Sequence, residues 1–171
     1  PTAIKLLRPE KAIESNLKRF EREVQLTARL THPHTITIFD YGRTPEGLFY
    51  YAMELLDGAS LERVVAVAGR LGPARVIHAL YEVAGALVEA HESGLVHRDV
   101  KPANVILCRQ GGLYDFPKVV DFGLVKDLEP SGDAALTHAD LIAGTPLYIA
   151  PETITAPESV GPLSDIYSLG A

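Results

Sequence analysis

At 171 residues, 47% of them hydrophobic, the chain suits one well-filled globular unit and excludes a disordered segment. Its 16 Lys and Arg against 22 Asp and Glu leave a net charge of −6, and the basic residues are scattered, so no nucleic-acid partner is expected. The single cysteine, Cys108, precludes an internal disulfide framework and fits a reduced, cytoplasmic setting, and there is no zinc-ligand spacing, bilayer-length apolar run or signal-peptide layout.

The opening "TAIKLL" is apolar and β-branched around Lys5 and predicts a strand. Ile13, Leu17, Phe20, Val24 and Ala28 then recur every three or four residues, which predicts an amphipathic helix stopped by His32-Pro33, with Glu23 at the edge of its apolar stripe. Two strand-like runs about the turn "RTPEG" predict a hairpin ending near "AMELLDG". A change from strands to helices near Asp57-Gly58 places a lobe boundary there. "SLERVVAVAG" predicts a short helix. "GPARVIHALYEVAGALVEAHESG" predicts a longer one, with Pro73 at its start, Val76, Leu80, Val83, Leu87 and Val88 on one face, and Gly94 just past its end. After Leu95–Leu107, "LVHRDVKPANVIL", come a turn at "RQGGLYD", a strand "PKVVDFG", a polar loop to about Pro151 and a helix beginning near Asp165. The start at Pro1 and the end inside "IYSLGA" suggest a piece of a longer protein, whose membrane anchoring outside this stretch stays open.

Polar groups between two strand-like runs are how a scaffold exposes functional side chains while holding both ends of a loop. An isolated His-Arg-Asp reads as a capped turn. Here it belongs to a set. Asp121-Phe122-Gly123 follows Asn104 by 17 residues, "GTPLYIAPE" closes the polar loop, and a strand lysine, Lys5, and a helix glutamate, Glu23, precede them. In this order they resemble the eukaryotic-type (Hanks-type) serine/threonine protein kinases, in the style of bacterial members. "TAIK" resembles the family's V-A-I-K strand with Thr2 for valine, and "HRDVKPAN" its catalytic loop with Val100 for leucine. Lys101 and "GTPLYIAPE" resemble the serine/threonine branch.

The resemblance implies a truncated two-lobed α+β kinase fold, with residues 1–56 part of the smaller lobe and 57–171 part of the larger, and ATP with Mg²⁺ as cofactors. Lys5 would hold the α- and β-phosphates and pair with Glu23. Asp99 would accept or orient the proton of a protein Ser/Thr hydroxyl, and Lys101 would offset charge on the transferring phosphate. Asp121 and Asn104 would hold the metal. Ala3 and Ile106 would sandwich adenine, Met53 would back it, and the backbones of Glu54 and Leu56 would hydrogen-bond it. Ser60 either approaches the ribose or caps the next helix. His97, Phe122 and Asp165 would pack and anchor the loop.

Arg98 beside Asp99 needs an anion, which a phosphate on Thr137 would supply; an unmodified Thr137 is the other reading. Thr145 would shape the substrate groove and contact Asp99. The family's glycine-rich loop before the lysine strand is not in this sequence, and Glu152 of "APE" has no candidate partner in it. The expectation is therefore a chain inactive by itself, from a kinase that could dimerise. A pseudokinase scaffold and a small-molecule phosphotransferase are the alternatives, the first needing a lost catalytic residue and the second fitting "GTPLYIAPE" poorly.

Overall fold

The computed structural model describes residues 1–7, 14–122 and 146–171. Strands β1 (Thr2–Leu7), β2 (Ile38–Arg43) and β3 (Phe49–Glu54) form an antiparallel sheet in the order β1-β3-β2. The period of two in "FYYAME" turns Phe49 and Tyr51 inward, where both are buried, and helix α1 (Glu14–Thr27) covers them with the fully buried Val24. Gly47, at φ 84°, supplies the left-handed residue of the β2–β3 connection. In the β1–β3 register Lys5 stands opposite Tyr51 and Ala3 opposite Met53.

A second antiparallel sheet has the order β4-β5-β6, from Gly58–Ser60, Val105–Gln110 and Leu113–Val119. Helix α2 (Leu61–Ala68) follows β4, and α3 (Pro73–Glu92) packs beneath the sheet. The chain is thus α+β, as expected. On α3 the buried positions are Ala79, Val83, Ala86, Leu87 and Ala90, the last four joined in one core by Leu30, Leu95, Val100, Val105, Val119 and Phe122. Val88 was expected on that face but is 55% exposed, because the small side chains of Ala86 and Ala90 carry the contact and rotate the stripe away from it. The final helix, α5, spans Pro162–Gly170, earlier than Asp165 suggested, and is preceded by a short α4 (Pro151–Thr155).

Strand β4 was not expected. It forms because Gly58 lets the chain approach β5 closely: a Cβ at this position would lie 2.4 Å from Leu107 O and 2.9 Å from Cys108 Cα, both backbone atoms. Gly58→Ala should therefore lower stability by about 1–3 kcal/mol, read from the denaturant midpoint. An unchanged midpoint would mean that the β4–β5 pairing yields freely.

The two sheets are tied by the link between α1 and β2. Val119 N donates to His34 O at 2.7 Å and Ile36 N to Val119 O at 3.0 Å, so the link runs beside the end of β6 like an added strand. Thr31 and His32 backbone N–H groups of the same link both donate to the Glu89 carboxylate of α3 at 2.9 Å.

Candidate active site

Beyond α3 the chain turns through Gly94, at φ 75°, into Leu95–Asn104. Arg98 adopts φ 64°, a conformation unfavourable for a side chain of its size, and two bonds hold it there. Asp165, 1% exposed, accepts from His97 N at 2.8 Å and from Arg98 N at 2.7 Å, while His91 Nε2 lies 2.8 Å from the same carboxylate. A buried carboxylate on α5 thereby fixes the loop backbone and turns Asp99 outward.

Asp99 is half-buried and meets Lys101 Nζ at 2.8 Å through Oδ2. Asn104 Nδ2 donates to that oxygen at 2.9 Å and to Asp99 O at 2.8 Å. Asn104, on the short 3₁₀ turn Pro102–Asn104, is buried and braces the loop as well as facing the site. Its backbone carbonyl accepts from Val120 N at 3.0 Å, which couples this loop to the residue before Asp121.

His97 is fully buried against Phe122, their ring centroids 4.7 Å apart. Its Nδ1 accepts from Asp99 N at 3.3 Å and its Nε2 stands 3.1 Å from Val120 O, so the single ring proton sits on Nε2. Burial holds the pKa below the ordinary imidazole value, against the raising influence of Asp165 and Asp99. The unfolded chain therefore binds a proton that the folded chain refuses. The contribution of His97 is complete above the ordinary value of 6.5 and is lost as pH falls below it. Denaturant unfolding between pH 7 and 5 should show stability dropping by up to about 1.4 kcal/mol per pH unit from this group, with a shallower slope in His97→Asn. Equal slopes in the two proteins would contradict the assignment.

Asp121 follows β6 at φ 58° and is turned toward the first sheet. Its Oδ1 accepts from Lys5 Nζ at 2.6 Å and from Tyr51 Oη at 3.0 Å. Burial, reinforced by the Asp121 charge, raises the Tyr51 pKa well above that of an exposed phenol, so Tyr51 remains a neutral donor. Lys5 was expected to pair with Glu23. Instead Glu23, buried on α1, meets Arg98 Nη1 at 3.4 Å. The exchange follows from position: Asp121 reaches Tyr51, the cross-strand neighbour of Lys5, and its carboxylate comes within reach of Nζ. Among the described residues Arg98 thus has the Glu23 carboxylate beside it.

The donor set fits a small hard cation. Asp121 already carries one positive group on Oδ1, and Asn104, its amide nitrogen engaged by Asp99, has its carbonyl oxygen left for a metal. Among the described residues no cluster of three or more His, Cys, Asp or Glu could hold a metal.

Of the expected adenine residues, Ala3 and Met53 pair across β1 and β3 in the first sheet, Ile106 lies in the second, paired with Ser60 across β5 and β4, and Leu56 follows β3 half-buried. Ser60 caps α2, its Oγ accepting from Arg63 N at 3.1 Å. The Glu54 carboxylate turns toward Lys118, at 2.7 Å. Gly123, Thr137 and Thr145 lie outside the described residues. Glu152, expected to lack a partner, accepts from Ser164 Oγ at 2.6 Å. Tyr51 and Lys118 were not singled out from the sequence; a lysine inside the apolar run "PKVV" was the available signal for the second.

A carboxylate loop, a strand lysine and a second carboxylate are thus joined through these bonds. Residues 1–171 match the family described as "Protein kinase domain", and the chain belongs to it. It is 35% identical over 158 residues to the serine/threonine-protein kinase pkn3 of Myxococcus xanthus, covering 92% of this chain and 29% of that protein. To the serine/threonine-protein kinase PknB of Mycolicibacterium smegmatis it is 37% identical over 172 residues, 98% of this chain and 27% of the relative. The crystal structure of the Mycobacterium tuberculosis PknI kinase domain superposes with a TM-score of 0.75 at 33% identity, over 98% of this chain and 58% of the other. Rad53 in complex with AMP-PNP gives a TM-score of 0.73 at 25% identity, over 99% of this chain and 38% of the other. The chain thus spans less than a third of the length of these curated relatives. No helix among the described residues is long and apolar enough to cross a membrane.

Proposed function

We propose that this chain carries the catalytic groups of an ATP-dependent kinase acting on serine and threonine hydroxyls of proteins. The observation that carries the reading is the Asp99–Lys101–Asn104 cluster, bonded at 2.8 and 2.9 Å on a loop anchored by Asp165 and coupled through Val120 to Asp121.

The substrate hydroxyl sits at Asp99, which accepts its proton as the oxygen attacks the γ-phosphorus. The bond from that phosphorus to the β–γ bridging oxygen breaks, and ADP leaves. Lys101 stands beside Asp99 and offsets negative charge on the moving phosphoryl group. Lys5 exchanges Asp121 for the α- and β-phosphates, as a point charge on a rigid strand can. Asp121 and Asn104 would hold Mg²⁺, which supplies charge neutralisation on the phosphates. Ala3, Met53 and Ile106 line the adenine, with the Glu54 and Leu56 backbones its hydrogen-bonding partners. Residues 1–56 then form part of the small lobe and 57–171 part of the large one. In the same reading Arg98 takes a phosphate on Thr137, Thr145 borders the peptide groove, the protein works in the cytoplasm, and a dimer and membrane anchoring are matters for its remaining sequence.

The test is transfer of labelled γ-phosphate from Mg·ATP to a generic basic protein by the protein expressed to its natural termini. Label on serine and threonine supports the reading. ATP binding with no label transferred contradicts it and favours a scaffold.

A further inference from the structure

Lys118 lies three residues before Asp121 on β6, flanked by Pro117 and Val119, and only 4% of it is exposed. A cation in that setting needs an anion at contact distance. It has one: Nζ donates to Glu54 Oε1 at 2.7 Å and to Thr35 O at 3.2 Å. The same Glu54 oxygen accepts from Thr37 N at 2.8 Å, and Glu54 N donates to Thr37 O at 3.0 Å. Glu54 is therefore fixed by both backbone and side chain to the α1–β2 link, which is itself laddered onto β6 at Val119. The end of β3, the link and the strand that delivers Asp121 all meet at one carboxylate.

We propose that Lys118 and the Glu54 carboxylate are a positioning pair that sets the separation between the adenine end of the site, at the Glu54–Leu56 backbone, and its phosphate end, at Asp121. The inference rests on the kinase reading. Neither side chain touches the nucleotide. The pair acts by clamping β3 to β6, so that the strand leading into the adenine-binding backbone and the strand leading into Asp121 move as one body. With the cation removed, the carboxylate keeps, among the described residues, its bond from Thr37 N, and β3 gains freedom relative to β6. Groups placed even 1 Å wrongly cost up to about a hundredfold in rate, so a partial loosening should fall somewhat below that.

The test compares Lys118→Met, Lys118→Arg and Glu54→Gln in the protein expressed to its natural termini, reading kcat, the KM values for ATP and GTP, the KM for a peptide substrate, and thermal midpoint. Lys118→Met and Glu54→Gln should raise the KM for ATP about tenfold and shrink the preference for ATP over GTP, with the peptide KM unchanged. Lys118→Arg should restore most of the affinity for ATP. A lowered thermal midpoint with the KM for ATP unmoved would overturn the inference, because it would describe packing alone. Should Lys118→Met fail to fold, Glu54→Gln, which keeps an acceptor for Thr37 N, gives the same readout. A wild-type protein that bound no ATP would overturn the kinase reading and this inference with it, whereas wild-type turnover with unmoved variants would overturn this inference alone.

Discussion

Asp165→Ala is expected to cost about 3–5 kcal/mol of folding stability and to abolish turnover, the largest combined effect of any single change at this site. The reason is that its carboxylate, 1% exposed, is the acceptor for the backbone N–H groups of His97 and Arg98 and the partner of His91. Truncation leaves buried donors without an acceptor, each worth about 1–3 kcal/mol. It also releases Arg98 from φ 64°, and the direction of Asp99 depends on that turn. Chemical denaturation of wild type and variant measures the first effect. A loss under about 1 kcal/mol would show that water can take over these bonds and that the loop holds its own shape.

Asp121→Asn should have a large effect on chemistry at little cost in folding. The substitution keeps an oxygen for Tyr51 Oη, now at 3.0 Å, but removes the charge that Lys5 meets at 2.6 Å. Nucleotide affinity should then become insensitive to Mg²⁺, and transfer should fall by roughly 10²–10³-fold, as for other lost electrostatic partners of a developing charge. Nucleotide titrations with and without Mg²⁺, beside turnover, measure both. A variant whose affinity still rose on adding Mg²⁺ would remove Asp121 from the metal site.

Why the sequence disclosed some of this and not the rest comes down to range. β1, α1 and α3 rest on local period, and their apolar repeats survive any tertiary arrangement. The end of α3 was equally local, since Gly94 at φ 75° is a requirement of the chain at that residue. β4 was hidden because three residues starting at a glycine carry no alternation, and its cause is the approach of Leu107 from far along the chain. The loop Leu95–Asn104 stood out as a candidate site because so many charged side chains between two apolar runs have poor structural explanations. Their pairings were not. Whether Lys5 meets Glu23 or Asp121 turns on how α1 and the end of β6 are placed, and a difference of a few ångströms there leaves no mark on sequence spacing. Glu23 read as the edge of a helix stripe yet lies buried near Arg98, and Glu152 read as lacking a partner yet is held by Ser164. In each case a distant residue decided the outcome.

The most direct measurement is Asp99→Asn, with phosphoryl transfer and ATP affinity determined on the same preparation. The substitution preserves the shape and the bond from Asn104 Nδ2 to the backbone carbonyl of residue 99, at 2.8 Å in the wild type, while removing the group that takes the hydroxyl proton. Transfer falling at least about a hundredfold, with ATP affinity within about threefold of wild type, is the predicted result. Transfer at the wild-type rate would contradict the account, because the loop at Leu95–Asn104 would then hold no catalytic group at Asp99.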